Sequence, residues 1–117
     1  MPADTNPHGD IFGGWLLSQM DLAAANVAAR RAAGRIATIA VDAMSFHESV
    51  EVGDEISCYA TIHRVGRTSV TVEVVTYKRK IYQKERIRVT SGLFTYVKID
   101  ANRRPEPLPP AEDELGS

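Results

Sequence analysis

Residues 10–33 read DIFGGWLLSQMDLAAANVAARRAA, and the fold hangs on how that stretch is understood. It is rich in Ala and Leu, and residues 11–33 read as the one long helix of the chain. Gly34 follows where a helix C-cap usually stands. Arg30 and Arg31 lie in the last turn, where cations meet the negative end of the helix dipole. The alanines and leucines leave little polar surface, so other structure is expected to wrap this helix on most sides. Three features sit badly in a plain greasy helix: Asp10 at its start, the pair Gly13 and Gly14, and Asp21.

Downstream of the helix the pattern changes to period two. Ala37, Ile39, Val41 and Ala43 share one face of a strand, and Ile56, Cys58, Ala60 and Ile62 share a face of the next. Val70, Val72 and Val74 form a third strand face; Ile87, Val89, Leu93 and Val97 form a fourth. Turns are expected at 52–55 (VGDE), 65–68 (VGRT) and 83–86 (QKER). Upstream, residues 1–9 (MPADTNPHG) read as a loop. From Asp100 the composition turns to prolines and charges, so residues 100–117 are expected to form a disordered tail behind a domain spanning 1–99. One helix and about four antiparallel strands make an α+β layout in which a sheet curls round a helix. Open sheet edges invite pairing, so at least a dimer is expected, with sheets joined across a two-fold axis.

Bulk composition narrows the function. With 117 residues the chain suits a single core. Its net charge of −1 gives no pull toward nucleic acid or anionic membrane, and no apolar run approaches the ~18 residues that span a bilayer. The single cysteine, Cys58, excludes an internal disulfide and fits a reducing, cytoplasmic setting. It lies on an apolar strand face and reads as inert core. No metal-type spacing of Cys and His exists. His8, His47 and His63 are scattered, and neither a metal site nor a Ser-His-Asp triad has support.

The aspartates and glycines suggest chemistry. Leu17, Ser18, Ala24 and Ala25 surround Asp21 at helical spacing, and no Lys or Arg is placed on the helix to pair with it. A carboxylate in such a setting suits a base or a nucleophile, although helix faces also carry lone acids. Gly13 and Gly14 stand where a helix start leaves amides without partners. Glycine there lets a ligand oxygen approach, and the dipole favours developing negative charge, which is an oxyanion hole in outline. Asp10 reads either as the helix N-cap or as a direct participant near the attacked carbonyl. Seven residues separate Gly14 from Asp21, about 10 Å at ~1.5 Å per residue. One carbonyl cannot sit beside both, whereas two antiparallel copies of the helix could offer the amide of one chain and the carboxylate of the other. Trp15 reads as core more readily than as a ligand contact. Lys78, Arg79 and Lys80 read either as a solvated strand end or, with Arg64 and Arg67, as a site for phosphates.

The segments MPADTNPHGDIFGGWLLSQMD, SFHESVEVGDEI and VGRTSVTVEV together resemble the hot-dog-fold acyl-CoA thioesterases, most closely the bacterial single-domain YciA-type acyl-CoA hydrolases. The resemblance runs from Met1 to about Asp100. It implies a long helix wrapped by an antiparallel sheet of four to five strands, dimers assembled further into hexamers as trimers of dimers, and hydrolysis of acyl-CoA to acid and CoA with no added cofactor. It assigns Asp21 as the catalytic carboxylate. It matches Asn6, His8 and Asp10, in the loop before the glycines, to the segment that positions the thioester from the other subunit. The amides near Gly13 and Gly14 match the group that polarises the carbonyl. Gly66, Arg67, Thr68 and Ser69 match a turn that touches CoA. Family members usually carry a strand ahead of the segment matching Met1–Asn6, so a sheet edge without that strand is expected. Two other readings stay open: a dehydratase on the same fold, which would rest on a His-centred dyad that residues 10–21 lack, and an acyl-CoA-binding protein without turnover.

Overall fold

The computed structural model describes residues 10–111, with the side chains of 10–13, 43 and 45 excepted. Helix α1 (Asp10–Ala32) is followed by strands β1 (Ile36–Phe46), β2 (Asp54–Val65), β3 (Ser69–Lys80) and β4 (Ile87–Lys98). The strands form one antiparallel sheet in the order β1-β4-β3-β2, so the last strand is inserted between the first and third. The α+β layout expected from periodicity is the layout observed.

The helix meets the sheet along a single row. Leu16, Met20, Ala24, Ala28 and Ala32 are all buried, one every fourth residue. Such a row winds slowly round a helix of 3.6 residues per turn, so it forms one continuous seam. The large side chains lie toward the N-terminus and the alanines toward the C-terminus, which lets the second half of the helix approach the strands closely. Beneath it lie Val70, Val72 and Val74 of β3 and Val89, Phe94 and Tyr96 of β4. Full burial of a Leu, Met or Phe stabilises the fold by roughly 1.5–3 kcal/mol each.

The described residues of one chain do not wrap the helix on most sides. Trp15, Leu17 and Leu22 remain 46%, 39% and 58% exposed, since a four-stranded sheet covers one side of a helix and no more. Trp15 is therefore not core in the single chain.

Two strand faces differ from their periodicity. On β4 the register skips from Arg88 to Thr90 opposite Tyr77 and Thr76, so Val89 is an extra residue. That bulge reverses the alternation. Val89 faces the helix, but beyond it the buried positions are Thr90, Gly92, Phe94 and Tyr96, and Leu93 and Val97 turn to the other side. On β1 the register shifts at Thr38/Ala40 and at Asp42/Ser45. Ile39 and Val41 are consequently exposed, and Ile36 and Met44 pack against the core instead. On β2, Ile56, Cys58 and Ala60 pack on the core as expected, with Cys58 Sγ 3.4 Å from Thr76 Oγ1, while Ile62 is left exposed.

Two glycines serve close approach. A Cβ on Gly92 would collide with Met44 Sδ, so a side chain there would displace Met44 from its present place against the core. A Cβ on Gly34 would stand 3.2 Å from Lys98 Cε. The left-handed residue closing α1 is Ala33 (φ 55°), not Gly34, and the helix ends one residue earlier than its composition suggests.

The expected looseness from Asp100 onward is not what 100–111 displays. The Asp100 carboxylate accepts from the Asn102 and Arg104 amides, Ile99 pairs with Pro105, and Glu106 N donates to Lys98 O. Leu108 N donates to Arg67 O and its side chain packs on the core, and Arg31 Nη1 donates to Pro109 O at 2.5 Å. Prolines need no amide partner, so a Pro-rich strap can be held by a few carbonyls and one apolar anchor. Residues 112–117 lie outside the described residues.

Candidate active site

Asp21 lies in mid-helix, half-buried, on the residue beside the fully buried Met20. Helical spacing leaves it without a cation, and the structure supplies a partner from the sheet instead. Tyr96 Oη donates to Asp21 Oδ1 at 2.6 Å and lies 3.2 Å from the Asp21 backbone carbonyl. Tyr96 is only 1% exposed and pairs across the sheet with Val70 on one side and Thr38 on the other. A buried phenol must find an acceptor, and here that acceptor is the carboxylate of the helix. Burial, and then the adjacent Asp21 carboxylate, hold the Tyr96 phenol above its ordinary value, so it stays protonated and remains a donor. Among the described residues no further hydrogen bond reaches the Asp21 carboxylate.

At the helix start, Asp10 is the first described residue and is already helical. A regular ladder leaves about four amides free, and the Gly14 N–H lies past them. Apart from Gly14's chain neighbours and the helix's own nearby backbone, no atom of the described residues lies within 4 Å of the place a Gly14 Cβ would occupy. Asn6 and His8 fall outside the described residues, and the side-chain geometry at Asp10 and the surroundings of Gly13 are likewise not described.

The basic residues separate into two groups. Arg64, Gly66 and Arg67 are exposed at the β2–β3 turn, with Thr68 and Ser69 half-buried. That turn is held tightly: Gly66 N donates to Ser69 O, Leu108 N to Arg67 O and Lys98 N to Thr68 O. Lys78, Arg79 and Lys80 lie at the far end of β3. Its 12 residues span roughly 36 Å at ~3.3 Å per step, so one chain cannot bring the two groups to one phosphate. Each residue of the second group is also already engaged. Lys78 is buried, donates to Ser49 O and faces Glu48 at 3.8 Å. Arg79 pairs with Glu55, and Lys80 lies 2.6 Å from Glu51 and 3.1 Å from the buried carboxylate of Asp54. The joint site suggested by their sequence neighbourhood does not form within the chain.

A cavity of about 460 Å³ lies at the other end of the helix, between Val27, Arg30, Arg31, Ile62 and Pro109. It does not include Asp21, whose surroundings on the Leu17 and Leu22 side are open in one chain. Among the described residues no cluster of His, Cys, Asp and Glu is suited to a metal ion.

A buried helix seam on an antiparallel sheet is a hot-dog-type α+β arrangement, and here one carboxylate is clasped at the flank of the seam. Residues 8–90 match the thioesterase superfamily, and the chain belongs to that family. It is 50% identical over 113 residues to an uncharacterized acyl-CoA thioester hydrolase of Zymomonas mobilis, covering 97% of this chain and 76% of that one. It is 44% identical over 112 residues to the acyl-CoA thioester hydrolase YciA of Escherichia coli, covering 93% and 85%. A solved hexameric broad-specificity acyl-coenzyme A thioesterase superposes with a TM-score of 0.82 at 42% identity, covering 99% of this chain and 81% of the other.

Proposed function

We propose that the chain hydrolyses acyl-CoA thioesters to a free carboxylic acid and CoA, with Asp21 as the catalytic carboxylate. The observation that carries the assignment is a lone mid-helix acid, flanked by apolar residues and held by one buried phenol. Water adds to the thioester carbon, the C–S bond breaks, and the CoA sulfur leaves with a proton. Asp21 serves either by taking the proton of the attacking water or by attacking the carbon itself to give a mixed anhydride that water then cleaves. Amides at the start of a helix, aided by its dipole, stabilise the oxygen that becomes negative.

Helix geometry supports a site shared between copies. The amides left free at the helix start lie before Gly14, at least ~10 Å along the axis from Asp21, so one chain supplies the amide or the carboxylate to a given carbonyl, not both. The exposed Trp15, Leu17 and Leu22 and β1, an edge strand of the described sheet, offer a second copy an apolar surface and a strand to pair with. A dimer assembled into a hexamer is the state we propose, supported by the hexameric relative of known structure. The substrate carries its own CoA, so no further cofactor is assigned. The lone Cys58 supports a reducing, cytoplasmic setting.

The test is release of free thiol from acyl-CoAs of increasing chain length by the wild-type protein and by Asp21→Asn. The variant should fold and lose a factor on the order of 10²–10⁴ in kcat, the usual range for a positioned base. Near-normal turnover in the folded variant would remove Asp21 from the mechanism.

A further inference from the structure

We propose that Tyr96 is a positioning residue for the reaction: its hydroxyl clasps one oxygen of the Asp21 carboxylate and so turns the other toward the substrate. The inference rests on Asp21 being the catalytic carboxylate. An aspartate in mid-helix can occupy more than one rotamer, and its two oxygens are equivalent until something distinguishes them. Tyr96 distinguishes them. It donates its single proton to Oδ1 at 2.6 Å, and no donor among the described residues meets Oδ2. Oδ2 is therefore the oxygen left to take the water proton or to attack the thioester carbon.

The clasp is rigid because the phenol is. Tyr96 is 1% exposed, in a central strand between Val70 and Thr38, and belongs to the same buried cluster as Met20 and Ala24 on either side of Asp21. Its hydroxyl cannot move without moving the core. The secondary contact with the Asp21 carbonyl, 3.2 Å away, ties the backbone at that residue to the same point. A reacting group held by the core of its own chain reaches its partners already oriented, and orientation is a large share of what an active site supplies. With its ring buried and its hydroxyl spent on Asp21, Tyr96 acts through Asp21 alone.

The experiment is a double-mutant cycle in the thiol-release assay, using the acyl-CoA that the wild-type protein turns over fastest. Tyr96→Phe removes one oxygen and keeps the ring, so the core stays filled; circular dichroism and thermal melting check folding. The expected result is a fall in kcat of about 10- to 100-fold with KM unchanged, in line with losing one hydrogen bond to a charged group. In the Asp21→Asn background the same change should leave the residual rate unaltered, because Tyr96 then has no carboxylate to hold. Two results would overturn the proposal. One is a folded Tyr96→Phe protein with wild-type kcat. The other is an equal loss in both backgrounds, which marks a merely structural role. A fully active Asp21→Asn protein would instead overturn the catalytic reading of Asp21, an outcome distinct from both.

Discussion

Arg64 and Arg67 stand at one end of the β2–β3 hairpin, Lys78, Arg79 and Lys80 at the other, and only the second group meets carboxylates. Glu48, Glu51, Asp54 and Glu55 face the cations of the far end, whereas Arg64 and Arg67 make no ion pair among the described residues. A cation with a local partner has less to offer a phosphate, since binding must first replace a bond that exists. A cation on an exposed turn, fixed by backbone bonds to the C-terminal strap and to β4, has its charge to spare and its position set. The first group suits a ligand and the second suits the fold.

Neutralising both ends puts that contrast at risk. The largest expected effect is at the turn: Arg64→Ala with Arg67→Ala should raise KM for acyl-CoA by about 10- to 100-fold with kcat nearly unchanged, because phosphate contacts act alike in ground and transition states. Steady-state kinetics decide it, and a fall in kcat at constant KM would break the comparison. At the far end, Arg79→Ala should leave KM within about twofold and lower the melting temperature by roughly 1–4 °C. Both partners of its pair with Glu55 are largely exposed, and such pairs contribute about 0.2–1 kcal/mol. A KM shift as large as that at the turn would make both ends binding ends.

The smallest effect depends on pH. The Glu51 amide first, and then Lys80, hold the Asp54 carboxyl below its ordinary 3.8. The folded protein therefore binds that proton less readily than the unfolded chain does, so the group stabilises the fold above pH 3.8 and loses its contribution as pH falls through the folded value. Lys80 has the opposite shift, upward, chiefly from hydrogen bonds to Glu51 and Asp54, so its contribution is complete below 10.5 and fades only beyond it. The gap in melting temperature between wild type and Asp54→Asn should be constant near neutrality and narrow below pH 3.8. A gap that widens in acid would mean that the corner is held by something else.

How much of the site was legible varied with the kind of interaction. Asp21 stood out because helical spacing is local: four neighbours in sequence are four neighbours in space. Tyr96 did not stand out, although a signal existed. A tyrosine two residues from Phe94 in a strand, if buried, needs an acceptor, and Asp21 is the lone acid on the apolar stretch of helix. What hid it was the bulge at Val89, which swaps the faces of β4; strict alternation puts Leu93 and Val97 inward and Tyr96 outward. The bulges on β1 concealed Met44 in the same way. The basic cluster at 78–80 misled for a related reason, since its partners at 48, 51, 54 and 55 come from the preceding loop and strand.

From the sequence by itself followed the helix, the strand count, the turns, the α+β layout and the odd carboxylate at position 21. All of these rest on spacing along the chain: 3.6 residues per helical turn, two per strand repeat, and turn residues at fixed offsets. Tertiary structure alone decided which strand face turns inward past each bulge, which cations are already paired, that the strap over 100–111 is anchored at Leu108, and that Tyr96 holds Asp21. Those are contacts between residues far apart in the chain, 75 positions for Tyr96 and Asp21 and 78 for Arg31 and Pro109, and a single extra residue in a strand reverses every side chain beyond it, which no local pattern records.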